Sequence, residues 1–245
     1  MRNIKLTIEY DGTHYNGWQC QKSTSRTLQE TTERALERIL KKRVRLFASG
    51  RTDAGVHALK QAANFKTVST IPAAKFRQVL NSVLPQDIAI VKSEEVNADF
   101  HARFNAKSKV YRYTILNQRY HSARWRNLVY FVPQILDVKL MQKAACFLRG
   151  RHDFKSFQAA DKKERSTIRT IKKLRIFKEK NLIHIDVEAD GFLYKMVRNI
   201  IGTLVDVGKK KQPPSYIKQL FVLKSRKHAG PTVPGCGLCL LRVKY

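Results

Sequence analysis

The stretch that sets the start of the fold is Arg2-Asn-Ile-Lys-Leu-Thr-Ile-Glu-Tyr10, followed directly by Asp11-Gly12. Apolar and polar residues alternate along it, which is the pattern of a strand with one buried face. Its apolar members are Ile4, Leu6, Ile8 and Tyr10. Asp-Gly is a turn-forming pair that ends such a strand. The sequence therefore predicts that the fold opens with a half-buried β-strand.

Helix and strand patterns alternate along the rest of the chain. Thr27-Leu-Gln-Glu30 is a capping box that opens a helix running to about Lys42, and Asp137 is an N-cap candidate for a later helix. Apolar residues at helical spacing predict a long helix over Phe192–Val207. Further strands are predicted at Val44–Ala48, Ala58–Lys66, Asp87–Val96, Ala106–Leu116, Thr170–Phe177, Leu182–Ala189 and from Leu238, with short helices after Pro72 and Ser215.

This order of elements predicts an α+β protein of two similar domains, residues 1–105 and 106–245. Each half interleaves strands with helices, and such units place helices on one face of a sheet and leave the other face free. The N-terminal domain contains the loop around Asp53, and the C-terminal domain would complete a functional surface. Sequence identity between the halves is too weak to establish a repeat.

The charge balance identifies the class of partner. Among 245 residues, 48 Lys and Arg face 19 Asp and Glu, for a formal net charge of +29, while 43% hydrophobic residues provide for a folded core. A field of this strength attracts polyanions, of which nucleic acid is the commonest in the cytosol. An anionic membrane surface is the alternative. It usually goes with one basic amphipathic helix, whereas here basic residues run from Arg2 to Lys244.

Other sequence features predict a cytoplasmic protein that works without metal or cofactor. No stretch approaches the ~18 apolar residues of a membrane span, and four cysteines are too few for a disulfide framework in this length of chain. Cys236-Gly-Leu-Cys239 has the spacing of half a zinc site, but no second pair complements it, so packing is the favoured role. The phosphate-binding, dinucleotide-binding and zinc-protease motifs are absent from the sequence.

The segment Gly50-Arg-Thr-Asp-Ala-Gly-Val-His57 is the strongest site candidate. It places Asp53 between two glycines, with Arg51 and His57 nearby, on a connection between predicted strands. A carboxylate beside cations stays ionised and can serve as a nucleophile or an electrostatic stabiliser. The alternative is a plain turn in which Asp53 only accepts hydrogen bonds from backbone amides.

Two further candidates lie in the second half. Tyr111 and Tyr113 are flanked by Lys107, Lys109 and Arg112, an arrangement on which unstacked bases can lie, although aromatic residues in strands more often pack in a core. Arg198 falls within a predicted apolar helix. It is either a buried cation that needs a carboxylate partner or a rim residue with its guanidinium in water.

The sequence resembles the TruA family of tRNA pseudouridine synthases, most specifically at Gly50-Arg-Thr-Asp-Ala-Gly-Val-His-Ala58. Other blocks match in order over nearly the whole chain: Tyr10–Gln21, Phe100–Phe104, Lys109–Tyr113, His152–Phe157, Gly191–Gly202 and Ala229–Thr232. Cys239 departs from the family pattern, where an aromatic residue is expected. This departure concerns packing, not chemistry.

The resemblance implies conversion of uridine to pseudouridine at positions 38, 39 and 40 of the tRNA anticodon stem-loop. It implies Asp53 as nucleophile, Arg198 as its paired cation, Tyr111 packing on the target base, and Arg51 entering the space that the flipped base leaves. Contacts to tRNA are implied for Phe100, His101, Ala102, Arg103 and Phe104, and for Phe157 and Gln158 within the block Phe157–Asp161. It also implies a continuous, mostly antiparallel sheet across the two domains, an RNA-binding cleft between them, and a homodimer.

The implied reaction suits these residue types but leaves choices open. The base must leave its stack at a cost of a few kcal/mol, which stacking on Tyr111 and phosphate neutralisation would offset. Asp53 could attack either C1′ of the ribose or C6 of the uracil, and the Tyr111 hydroxyl is a candidate base for the final proton transfer. A non-catalytic RNA-binding protein or RNA chaperone is the competing function, and Asp53 discriminates, because a carboxylate in a basic groove repels phosphate.

Overall fold

The computed structural model describes residues 1–21, 24, 26–160 and 166–245. Its strands and α-helices in chain order are β1 (Arg2–Tyr10), α1 (Leu28–Leu40), β2 (Phe47–Ala48), β3 (His57–Thr67), α2 (Lys75–Asn81), β4 (Ile88–Val96), β5 (Ser108–Asn117), β6 (Tyr130–Val132), α3 (Val138–Leu148), β7 (Gly150–Asp153), β8 (Ile168–Glu179), β9 (Leu182–Ala189), α4 (Met196–Gly208), α5 (Tyr216–Leu223) and β10 (Leu238–Lys244). The predicted α+β class is confirmed. No helix among the described residues is long and apolar enough to cross a membrane.

The chain divides into two compact units. Unit 1 comprises Met1–Lys107 together with Cys239–Tyr245, and unit 2 comprises Ser108–Leu238. The sequence-based division at residue 105 places the C-terminal strand in the second domain, whereas the structure assigns it to the first. The reason is pairing: β10 runs parallel to β3, with Cys239 opposite His57. A local sequence pattern identifies a strand but not its partner.

Unit 1 is built on β1, which lies between β3 and β4 and pairs antiparallel with both. The predicted alternation is confirmed, because Ile4, Leu6 and Ile8 are fully buried. The helix α1 begins as the capping box predicts, since Thr27 Oγ1 accepts the backbone N–H of Glu30 at 3.3 Å. These elements give unit 1 a sheet and a packed helix. The Asp53 loop extends from the sheet, between β2 and β3.

Unit 2 has an antiparallel sheet in the order β5, β9, β8, β7, with β6 pairing parallel to β5. Tyr111 of β5 lies opposite Val187 of β9. The predicted N-cap of α3 is confirmed, because Asp137 Oδ1 accepts the N–H of Leu140 at 3.1 Å. The described pairings within both units are thus mostly antiparallel, as predicted.

Two predicted elements differ from the structure by three or more residues at one end. The helix expected over Phe192–Val207 begins only at Met196, because Lys195 adopts a left-handed conformation with φ 57° and the carbonyl of Leu193 accepts the N–H of Met196 in a separate turn. The strand expected over Val44–Ala48 is limited to β2. Both differences arise at element ends, where periodicity says least.

Candidate active site

The Asp53 loop joins β2 to β3 within unit 1. Asp53 is half-buried, Arg51 is exposed and Thr52 is buried. The loop therefore leaves the two charged side chains accessible to solvent, at least in part, and encloses Thr52. Gly55 has a positive φ of 73°, the conformation for which a glycine is needed, and the N–H of Val56 closes the turn on the carbonyl of Asp53 at 3.2 Å. Gly55 therefore permits the tight turn that follows Asp53.

The segment after β1 supports this loop through close backbone contacts. A β-carbon on Gly12 would lie 2.1 Å from the carbonyl oxygen of Val56, and one on Gly17 would lie 2.7 Å from that of Thr52. The N–H of Trp18 also donates to the Thr52 carbonyl at 3.0 Å. Only glycine permits this approach, so the segment fixes the backbone on both sides of Asp53.

Polar contacts hold the two ends of the loop. The hydroxyls of Tyr10 and Thr52 lie 2.9 Å apart in a buried position, and His57 Nδ1 accepts the N–H of Gly12 at 3.1 Å. His57 is buried, which gives it a supporting role rather than a place on the surface. The loop is therefore held in one conformation, as a catalytic carboxylate requires.

The segment Phe100–Phe104, also in unit 1, contains both supporting and exposed residues. Ala102 is fully buried, its N–H donates to Asn64 Oδ1 at 2.9 Å, and its carbonyl accepts the Tyr245 hydroxyl at 2.8 Å. The predicted tRNA contact of Ala102 is thus corrected, because both its side chain and its backbone groups are engaged inside the protein. Phe100 is half-buried against the Tyr245 ring, with centroids 5.0 Å apart.

The exposed part of this segment is an aromatic and cationic surface. The His101 ring lies between Phe47 and Phe104, at centroid distances of 5.2 and 4.4 Å, and the Arg103 guanidinium lies 5.8 Å from the Phe104 centroid. Phe104 is 76% exposed. Burial, with a smaller effect of the Arg103 charge, lowers the pKa of His101, which favours the neutral form of its ring.

Tyr111 and Tyr113 lie on β5 of unit 2. Tyr111 is 7% exposed, and its ring packs edge-to-face on Phe192 with centroids 5.2 Å apart. Tyr113 is fully buried, and its hydroxyl donates to the Pro234 carbonyl at 2.9 Å. The suggested stacking role of Tyr113 is therefore wrong, and the core role that the sequence also allowed is the observed one.

Close packing explains the position of Tyr113. A β-carbon on Gly237 would lie 2.7 Å from Tyr113 Cζ, so the glycine makes room for the ring. Burial raises the pKa of the Tyr113 hydroxyl well above its ordinary value. Tyr113 thus remains a neutral hydrogen-bond donor in the core.

Arg198 lies in the first turn of α4 and is half-buried. Its Nε donates to the Val233 carbonyl at 2.7 Å, and the Val233 N–H approaches the Arg198 carbonyl at 3.5 Å. Arg198 is therefore neither an enclosed core residue nor a freely solvated rim residue. Its guanidinium has an orientation set by a neighbouring backbone segment.

Hydrogen bonds centred on the buried Asn199 side chain hold that segment, Ala229–Val233, against α4. Asn199 is fully buried; its Nδ2 donates to the Phe157 carbonyl at 2.7 Å, and its Oδ1 accepts the Thr232 hydroxyl at 2.6 Å and Arg226 Nη2 at 3.2 Å. Sequence reasoning did not identify Asn199 or Arg226 as positioning residues. The only signal was that Asn199 and Thr232 belong to the blocks that match the family.

Gly202→Ala is expected to lower the free energy of unfolding by about 3 kcal/mol. The added β-carbon would lie 1.8 Å from the Pro231 carbonyl oxygen, so backbone must move. Gly208→Ala in the same helix is the control, since its β-carbon would meet the flexible Met141 side chain at 2.9 Å. Helix propensity offsets that contact, so the control changes stability by less than about 1 kcal/mol. Urea denaturation measures the free energy of unfolding of both variants. Equal losses would contradict the close packing of the Pro231 backbone on α4.

The second predicted contact block is only partly compatible with direct RNA binding. Phe157 is fully buried and packs on Phe154 and Phe221, with centroids 5.9 and 6.1 Å away. Its predicted tRNA contact is corrected, because the ring belongs to the core of unit 2. Gln158 is half-buried and stays a prediction, while Asp161 at the end of the block lies outside the described residues.

The His, Cys, Asp and Glu side chains of the described residues are too dispersed to form a metal site. In the stretches 1–21, 24, 26–160 and 166–245, no group of three or more His, Cys, Asp or Glu side chains could hold a metal ion. Cys236 and Cys239 are half-buried cysteines, and Cys236 Sγ lies 3.4 Å from the Val129 carbonyl. This contact and the half-buried position fit a packing role for Cys236.

The sequence matches known proteins over its whole length. A family model described as tRNA pseudouridine synthase matches residues 6–105 and 144–245. Over the full length of both chains, the protein is 51% identical to tRNA pseudouridine synthase A 2 of Clostridium perfringens, 47% identical to tRNA pseudouridine synthase A of Clostridium acetobutylicum and 46% identical to that of Acetivibrio thermocellus. The two matched stretches agree with the predicted pair of similar domains. The chain therefore belongs to the tRNA pseudouridine synthase A family and is an isomerase.

Proposed function

We propose that the protein converts uridine to pseudouridine at positions 38, 39 and 40 of the tRNA anticodon stem-loop, with Asp53 as the nucleophile. The observation that carries the proposal is the Asp53 loop, which presents a half-buried carboxylate on a backbone held by Gly12 and Gly17. The net charge of +29 favours binding of a polyanion. A binding protein gains nothing from an acidic group fixed in this way, whereas an isomerase needs one.

The reaction breaks the bond between N1 and C1′, turns the uracil and joins C5 to C1′. In one route the Asp53 carboxylate attacks C1′ and uracil departs as an anion; in the other it adds to C6 before the glycosidic bond breaks. In both routes the ester bond to Asp53 is later released, and the proton on C5 moves to N1 through a base or water. One carboxylate and one proton acceptor are thus sufficient, with no change in oxidation state.

Tyr111 and Arg51 handle the base in this proposal. The target uridine leaves its stack, which costs a few kcal/mol, and stacking on an aromatic ring recovers about 1–3 kcal/mol. The Tyr111 ring is fixed by its edge contact with Phe192 and so needs no ordering on binding. Its hydroxyl is the proposed acceptor of the C5 proton. Arg51 is exposed on the nucleophile loop, as a side chain that fills the vacated space must be.

Arg198 is proposed to pair with Asp53 and keep it ionised during the reaction. The support is its orientation: Nε is committed to the Val233 carbonyl, so the guanidinium plane is fixed before substrate binds. A charge held in place costs no reorganisation when the carboxylate changes partners.

Phe100, His101, Arg103, Phe104 and Gln158 are proposed to contact the tRNA outside the target base. The best support is the exposed Phe104 ring beside the His101 ring, with Arg103 next to both. Bases stack on rings of this kind, and the guanidinium donates hydrogen bonds to phosphate oxygens. We also propose, as the family resemblance implies, that the protein is a cytoplasmic homodimer with the tRNA spanning both subunits.

The test is to map pseudouridine in an unmodified tRNA incubated with purified protein and no added cofactor. The transcript carries uridine at positions 38, 39 and 40, and a matched transcript carries cytidine there. Pseudouridine confined to these positions is the expected result. Modification elsewhere in the tRNA would contradict the positional assignment, and tight binding without any modification would favour a non-catalytic RNA-binding role.

A further inference from the structure

A basic loop on unit 2 contains none of the residues to which a role is assigned above. It is Gln118-Arg-Tyr-His-Ser-Ala-Arg-Trp-Arg-Asn-Leu128, between β5 and β6, and we call it the arginine loop. Arg119, Arg124 and Arg126 are exposed, as are the rings of Tyr120 at 72% and Trp125 at 44%. The sequence has no Asp or Glu from Phe100 to Leu136, so every fixed charge within the loop itself is positive.

Internal hydrogen bonds give the arginine loop a defined shape. The N–H of Trp125 donates to Ser122 Oγ at 3.4 Å, and Arg126 Nη1 donates to the Ala123 carbonyl at 2.7 Å. At the start of the loop, Gln118 Oε1 accepts Asn181 Nδ2 at 2.9 Å, which ties it to the turn between β8 and β9. The exposed cations are therefore presented on a fixed frame, and binding costs less ordering entropy.

An open cavity of about 270 Å³ lies beside the loop. His121, Ser122 and Arg126 of the loop line it together with Tyr130 and Phe131 of β6. Its volume is below the ~300 Å³ at which sites for drug-sized ligands begin, so it suits a single planar ring better than a larger ligand. Its polar lining groups can meet the hydrogen-bonding edge of such a ring, and its aromatic groups can meet the face.

We infer that the arginine loop binds a second, unpaired nucleotide of the tRNA, distinct from the target uridine. The base enters the cavity beside Tyr130 and Phe131, and the flanking phosphates contact Arg124 and Arg126. Alternating aromatic and arginine side chains fit RNA, because bases need flat surfaces and phosphates need exposed cations, whereas an acidic protein segment needs only the cations. The inference rests on the proposed function for the identity of the RNA.

The first test removes two loop charges with Arg124→Ala/Arg126→Ala. The matched control is Arg34→Ala/Arg43→Ala in unit 1, which removes the same charge from side chains that are 63% and 90% exposed. At constant ionic strength, we expect the loop variant to raise Kd for unmodified tRNA about tenfold and to reduce the salt dependence of log Kd by about 1.5, while the control changes Kd less than about twofold. Equal Kd changes in the two variants would overturn the inference.

The second test places a thiol at the cavity with Ser122→Cys and uses the exposed Cys146 of α3 as an internal reference. Saturating tRNA is expected to slow alkylation of the new thiol at least fivefold without changing the rate at Cys146. Equal rates with and without tRNA would overturn the inference. So would a change of oligomeric state in the arginine variant with unchanged Kd, which would make the loop a contact between copies.

These outcomes are separable from failure of the proposed function. If wild-type protein forms no pseudouridine, the proposed function fails, yet the binding and alkylation results still report on the loop. If pseudouridine forms normally and both loop tests are negative, only the loop inference fails. Thermal unfolding of each variant shows whether the fold is retained.

Discussion

Asp53→Asn is expected to abolish pseudouridine formation, with a loss of about 10⁴-fold or more in rate, while tRNA binding survives. The amide has nearly the same shape as the carboxylate, so the loop supported by Gly12 and Gly17 keeps its conformation, but it cannot form the ester intermediate. Loss of a negative charge beside phosphates should leave Kd unchanged or lower it. Tritium release from tRNA labelled at uracil C5 measures turnover, and filter binding measures Kd.

Asp137→Asn is the matched control for this experiment. It removes one carboxylate from unit 2, and asparagine caps a helix about as well as aspartate, so α3 should keep its N-cap. Wild-type turnover is expected. If Asp53→Asn also turns over at a comparable rate, Asp53 is not the nucleophile.

Arg198→Ala is expected to reduce kcat by about 10²- to 10³-fold with little change in KM for tRNA. The guanidinium is proposed to act on the Asp53 carboxylate, whereas RNA affinity comes from many surface cations. Arg198→Lys keeps the charge but not the planar group whose Nε meets the Val233 carbonyl at 2.7 Å, so it should restore only part of the rate.

Stability must be measured alongside the rate, because Arg198→Ala leaves the Val233 carbonyl without this donor. That loss costs about 1–3 kcal/mol if the oxygen stays buried, and urea denaturation would detect it. Arg43→Ala, from an exposed position on unit 1, controls for charge removal. A variant at Arg198 with wild-type kcat and wild-type stability would show that this guanidinium supports neither the reaction nor the Val233 segment.

Local sequence patterns predict those parts of the fold that local chemistry determines. The alternation of Ile4, Leu6 and Ile8 predicts β1, and the side chains of Thr27 and Asp137 cap their helices as expected. The Asp53 loop is also predictable, since a turn with φ 73° needs a glycine. Each of these features depends on neighbours within a few residues.

The errors concern residues whose surroundings come from distant parts of the chain. Ala102 lies in a family block, but it is buried beneath Tyr245, which is 143 residues further on. Phe157 is covered by Phe221, and Tyr113 fits only because Gly237 has no side chain. A matching block looks the same in sequence whether its members contact RNA or support those that do, and only tertiary packing distinguishes the two.

The parallel pairing of β10 with β3 determines when unit 1 can mature. The ribosome makes residues 1–107 first, but the strand beside His57 is delivered only with Cys239–Tyr245, after all of unit 2 has emerged. During translation, newly made unit 1 therefore lacks β10 beside β3, and an exposed strand edge promotes aggregation. A fragment that stops at residue 107 would keep that defect permanently, so the Asp53 loop cannot be studied reliably outside the full chain.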